Sequence, residues 1–209
     1  MIDSHEIQAR LRQHLQVLTV DIGERSVLIP GNLGKTAEYI RDFYRSIGLE
    51  ARLEPYSYHG FEAANVIAEI SLGRNPAKRI LIGAHYDSVA GTVGADDNAS
   101  AVAVQLETAR QLAMLEEQTG LDLVVVLVSF ALEEPPVYGT RFMGSRVYAE
   151  QARRRKDPID GMLCLEMVGY ACAEPGCQSY PFPLMFFSYP KEGNFIGIVG
   201  NFDSRDLTR

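Results

Sequence analysis

Two uninterrupted apolar runs, "RILIGAHYD" (79–87) and "LDLVVVLVSFALEE" (121–134), constrain this chain more than any other feature. A strand with one wetted face alternates polar and apolar residues. A strand covered on both faces reads as continuous Val, Ile and Leu, and both runs are of that kind. Between them "NASAVAVQLETARQLAML" is rich in Ala and Leu and reads as a strong helix. Strands alternating with helices predict an α/β domain with a largely parallel sheet. The expected architecture is three layers, α/β/α, around a mostly parallel mixed sheet.

The flanking segments fill in that plan. Asp3 and Glu6 are spaced as a capping pair for a first helix running to about Leu18. A second helix is expected from near Leu33 to a stop at Gly48, with Ile40, Phe43, Tyr44 and Ile47 as its apolar stripe. "LEARLEPYSY" and "NVIAEISL" read as antiparallel neighbours. A further helix is expected around Gly139 to Arg153, then a strand "IDGMLCLEMVGY" and two short apolar runs, "PLMFFSY" and "FIGIVG". Repeats, low-complexity tracts and linkers are absent, so the 209 residues read as a single domain.

Charge and cysteine usage narrow the function classes. Twenty Lys+Arg against 27 Asp+Glu give a net charge of -7, which supports neither nucleic-acid nor anionic-membrane binding. The one basic cluster, Arg153 to Lys156, reads as a solvated helix end. No apolar run approaches the roughly 20 residues that span a bilayer. The N-terminus has no signal-like segment, and the three cysteines form no disulfide framework. A cytoplasmic protein is the expectation, with Cys172 and Cys177 of "CAEPGC" as free thiols.

Three of the strand-like segments end in acids or histidine: "LIGAHYD" in His85 and Asp87, "VSFALEE" in Glu133 and Glu134, and "MLCLEM" in Glu166. In an open α/β sheet, ligands bind beyond the carboxyl ends of the strands. The Asp96–Asp97 loop leads into a helix N-terminus at the same edge. Each group alone has a plain structural reading. Asp97 or Asn98 could cap the helix, Glu133 and Glu134 could form a solvated turn before Pro135, and His85 could be a satisfied core histidine. Four segments converging on one edge are harder to explain that way. Clustered carboxylates there call for a cation. Mixed His and carboxylate donors suit Zn²⁺, with Mn²⁺ or Co²⁺ as alternatives. The surplus of acids suggests two ions sharing one Asp.

With "GAHYDS", "GADDNASA", "EEP", "GTRFMGS" and "LEMVGY", the stretch from Asn65 to about Tyr170 resembles the co-catalytic zinc aminopeptidases, a family that includes glutaminyl cyclases and glutamate carboxypeptidase II. The resemblance implies His85 and Glu166 as ligands of one metal, Asp96 as the bridging carboxylate and Glu134 as a ligand of the second metal. It implies Asp87 as the residue that orients His85, Glu133 as the general base, and a cis bond between Asp96 and Asp97. The implied activity is hydrolysis of the N-terminal residues of peptides or small amides by a metal-bound hydroxide. Cyclase-like acyl transfer or a non-catalytic interaction domain are the alternatives. Relatives take a last ligand from a late histidine, whereas no histidine follows residue 85 here. The domain is therefore expected to be incomplete at its C-terminus, to hold its metals partly or not at all, to be inactive alone, and to be open to self-association through an uncovered sheet edge.

Overall fold

The computed structural model describes residues 3–115, 121–179 and 189–205. Four helices, α1 (Ser4–Gln16), α2 (Pro30–Ser46), α3 (Ala101–Ala113) and α4 (Gly144–Arg155), pack around five strands. The strands are β1 (Ala51–Tyr58), β2 (Phe61–Leu72), β3 (Lys78–His85), β4 (Leu123–Phe130) and β5 (Gly161–Cys164), in spatial order β1-β2-β4-β3-β5. The ladders β1/β2 and β2/β4 are antiparallel, and β3/β4 and β3/β5 are parallel. The sheet is mixed, as expected.

Side-chain alternation along the strands divides the core into two layers. Val66, Ala68 and Ile70 of β2 and Val125 and Leu127 of β4 face one side, where they pack with Leu33, Ile40 and Tyr44 of α2 and Val102 and Leu106 of α3. Ile67 of β2, Leu81 of β3 and Val124, Val126, Val128 and Phe130 of β4 face the other, against Tyr148 and Ala152 of α4. Residues one apart on a strand point to opposite faces, so the continuous apolar runs are what a sheet with helices on both sides requires.

Several boundaries differ from the sequence reading. Asp3 caps α1, its Oδ1 accepting from the His5 N–H at 2.9 Å, but Glu6 turns to Arg10 at 3.2 Å instead of reaching back. α1 ends at Gln16 and continues as a π-helical turn over Val17–Ile22. α2 starts at Pro30 because proline, lacking an N–H, suits the first helical turn. The strand expected over 159–170 is paired with β3 only at Gly161–Cys164. "FIGIVG" forms no strand, and Ile196, Ile198 and Val199 are exposed. "PLMFFSY" lies outside the described residues except for Tyr189. Cys172 and Cys177 are disulfide-bonded, correcting the expectation of free thiols, while Cys164 is free. Among the described residues no helix is long and apolar enough to cross a membrane.

Candidate metal centre

The carboxyl ends of β3, β4 and β5 lie side by side, because these strands are parallel neighbours. His85 closes β3 and is buried. Its Nε2 faces three carboxylates: Asp97 Oδ1 at 3.1 Å, Glu166 Oε1 at 3.5 Å and Glu133 Oε2 at 3.9 Å. Its Nδ1 lies 3.2 Å from Oδ1 of buried Asp87. Two sets of donor groups converge within 4.8 Å, His85 with Asp97 and Glu166, and His85 with Glu133 and Glu134. Five of the six expected site residues thus meet at one place.

Asp96 is the exception. Its Oδ1 accepts from the Gly169 N–H at 2.8 Å and from Ser100 Oγ at 3.2 Å, tethering the segment after β5 to the start of α3. Asp97, not Asp96, faces His85, and the cis peptide bond is Asp97–Asn98 rather than Asp96–Asp97. The cause is local. Asp97 (φ -100, ψ 94) and Asn98 (φ -133, ψ 32) are not helical although the chain on either side is coiled. The backbone leaves the helical region at Asp97 and not at Asp96, so the two aspartates are presented in different directions.

Two further groups hold the ring. Asp87 accepts from the Glu133 N–H at 3.0 Å and the Glu134 N–H at 2.9 Å. One buried carboxylate therefore orients the imidazole and fixes the turn that presents both glutamates. Asn98, fully buried, donates to the Leu165 carbonyl at 3.1 Å and Glu166 Oε2 at 3.2 Å, and accepts from the Met167 N–H at 3.1 Å. Sequence reading offered Asn98 only as a helix cap. An asparagine directly after two aspartates is the signal that the sequence offers for a larger role, and its burial is visible only in the structure.

The electrostatics are those of an overcrowded anionic site. Burial works against a charged His85, but Asp87 and Glu166 outweigh it and push its pKa up to about 11. Burial, then Asp97, push Glu134 up to about 7. Glu133 is raised by burial and by neighbouring acids, with His85 acting the other way. Asp97 Oδ1 and Glu134 Oε1 are buried without a hydrogen-bond donor. The 3.1 Å approach of Asp97 to Nε2 is a close charge contact rather than a well-aligned hydrogen bond. Buried carboxylate oxygens without hydrogen bonds, on two acids of the donor sets that share His85, fit a divalent cation. Such a cation would reverse the upward shifts, because positive charge favours the ionised carboxylates.

Comparison with known proteins bears on the family and the fold. The sequence profile of peptidase family M28 matches residues 65–183. The Escherichia coli K12 protein YfbL is 37% identical over 213 residues, covering 98% of this chain and 63% of YfbL. Among solved structures, the zinc aminopeptidase BSAP from Bacillus subtilis superposes with a TM-score of 0.65 at 14% identity, over 81% of this chain and 71% of that one. A Porphyromonas gingivalis glutaminyl cyclase gives a TM-score of 0.60 at 21% identity, over 83% and 61% of the respective chains. This chain spans less than two thirds of YfbL's length.

Proposed function

Since the chain belongs to peptidase family M28, we propose that it carries most of the active site of a zinc-dependent aminopeptidase acting on peptides or small amides. The observation that carries this reading is the convergence on His85 of two donor sets, Asp97 with Glu166 and Glu133 with Glu134, in which Asp97 and Glu134 each keep a buried oxygen without a hydrogen bond. His85, Asp97 and Glu166 would hold one zinc. Glu134, with Asp97 shared, would contribute to a second. Asp97 would take the role that the family resemblance implied for Asp96. Zinc bound there supplies Lewis acidity and lowers the pKa of water.

The protein's own residues supply the rest. Asp87 at Nδ1 holds the His85 tautomer that leaves Nε2 free for a ligand. Glu133, whose Oε2 faces the same point, takes a proton from the attacking water and returns it to the leaving amine. Among the described residues, the second ion would have only Glu134 and shared Asp97 as ligands. Two carboxylates hold zinc weakly, so residues 1–209 alone should bind fewer than two zinc ions and turn over poorly.

The test measures zinc by mass spectrometry and hydrolysis of aminoacyl-nitroanilides, on wild type and Glu133→Gln. We expect E133Q to keep its zinc while losing roughly 10²–10⁴-fold in rate. Loss of zinc from E133Q would make Glu133 a ligand, and a wild type that binds no zinc would refute the reading. Pyroglutamyl product from glutaminyl peptides, without hydrolysis of the nitroanilides, would place the protein with the cyclases.

A further inference from the structure

Arg25 is fully buried, far from where arginines are usually found. All its side-chain acceptors are main-chain carbonyls. Nε donates to Tyr86 O at 2.6 Å, and Nη1 to Leu18 O at 3.0 Å, Gly23 O at 3.0 Å and Val93 O at 2.7 Å. Nη2 donates to Gly94 O at 3.1 Å. The acceptors outside its own N-terminal segment are informative. Tyr86 lies between His85 and Asp87, and Val93 and Gly94 lead into Asp96 and Asp97. Ser88 adds to the joint, its Oγ accepting from the Arg25 N–H at 3.0 Å and donating to Thr92 O at 3.1 Å.

We propose that Arg25 is a positioning residue for the metal ring, a buried cation that locks the strand end bearing His85 and Asp87 against the loop bearing Asp97. The inference rests on the metal-binding reading above. Two independent features support it. Gly94 has φ +51, and a Cβ there would fall 2.2 Å from Asp97 O, 2.7 Å from Ser88 Cβ and 3.1 Å from Arg25 Nη2. Only glycine lets the loop close this tightly over the guanidinium. Gly94 O also accepts from the Ala99 N–H at 3.1 Å, so the same carbonyl joins Arg25 to the start of α3. The second feature is charge. Burial lowers the Arg25 pKa to about 10, and Asp87 and Asp97 oppose that lowering. Arg25 therefore stays charged at neutral pH, and its partners in that balance are two carboxylates of the site.

An arginine that merely filled core volume could be replaced by an apolar side chain of similar size once the protein folded. One that sets ligand geometry could not, because several carbonyls would lose their donor and both segments would relax. The test compares wild type, Arg25→Met, Arg25→Lys and Ser88→Ala, each at a temperature where circular dichroism shows it fully folded. The readout is the Zn²⁺ dissociation constant from competition with a chromophoric chelator. We expect R25M to bind zinc about 10-fold to 100-fold more weakly, as partners that orient ligands typically do. R25K, which keeps the charge but loses the planar fork, should fall between R25M and wild type, and S88A should bind several-fold more weakly. Folded R25M with wild-type zinc affinity overturns the proposal. If R25M does not fold, S88A decides: weakened binding supports the proposal and unchanged binding overturns it. A wild type that takes no zinc refutes the metal reading itself, and this inference falls with it.

Discussion

His14 offers a stability prediction whose size follows from its surroundings. It is buried on α1, with Nδ1 2.6 Å from the Tyr39 hydroxyl and its ring edge-on to Phe43 at 4.7 Å. Burial lowers its pKa from 6.5 to about 4; Glu107 opposes the shift, and Arg10 and Arg110 add to it. At pH 5 the unfolded chain binds a proton that folded His14 refuses. Stability therefore falls as pH drops through 6.5 toward 4 and is fully present above 6.5. Linkage across those two pKa values gives a loss of about 2 kcal/mol between pH 7.5 and pH 5. The assay is urea unfolding of metal-free wild type and His14→Phe at both pH values. Phe leaves the Tyr39 hydroxyl unpaired, a cost nearly the same at either pH, so the difference in pH dependence isolates His14. We expect wild type to lose about 2 kcal/mol more than H14F on acidification. Equal losses in the two proteins would refute the assignment of a buried, neutral His14.

Two further substitutions test the site and its scaffold. Asp97→Asn should lower zinc stoichiometry or affinity, whereas Asp96→Asn should leave zinc bound; metal analysis of the two purified variants separates them, and the reverse result would restore Asp96 as the ligand. Gly144→Ala would set a Cβ 2.2 Å from Ala131 O and 2.4 Å from Asn65 Oδ1, costing about 1–3 kcal/mol. Thermal denaturation should show a lowered Tm, and an unchanged Tm would mean that this turn yields more readily than its contacts imply.

Elements defined by apolar pattern were legible in the sequence, and those defined by long-range contact were not. β3, β4 and α3 were readable because burial on every side leaves an unbroken apolar signature. β5 was overextended, because "CLEMVGY" continues to look strand-like after its pairing with β3 has ended. The Leu165 N–H still donates to the Gly83 carbonyl of β3 at 2.8 Å, and after it the chain is held by side chains, by Asn98 at Met167 and by Asp96 at Gly169. Such bonds leave no periodicity. The Cys172–Cys177 pairing was hidden for a related reason. Spacing alone cannot tell a closed loop from two nearby thiols, whereas the Cys172 N–H to Gly193 O bond at 3.0 Å shows a loop folded back on a distant segment.

The acids were legible as a set but not one by one. Four segments ending in His, Asp or Glu at one sheet edge identify a charged site, because strand direction places them there whatever their rotamers. Choosing between Asp96 and Asp97 depends on a backbone turned out of the helical region for two residues, and adjacent aspartates look alike in sequence. The structure gives the pair a division of labour. Asp96 ties Gly169 and Ser100, while Asp97 keeps a buried oxygen that makes no aligned hydrogen bond and lies 3.1 Å from His85 Nε2. A carboxylate already engaged by an N–H and a hydroxyl has less to gain from a cation than one with an empty lone pair. Unmet hydrogen-bonding capacity, more than the count of nearby acids, is what distinguishes a ligand from a tether.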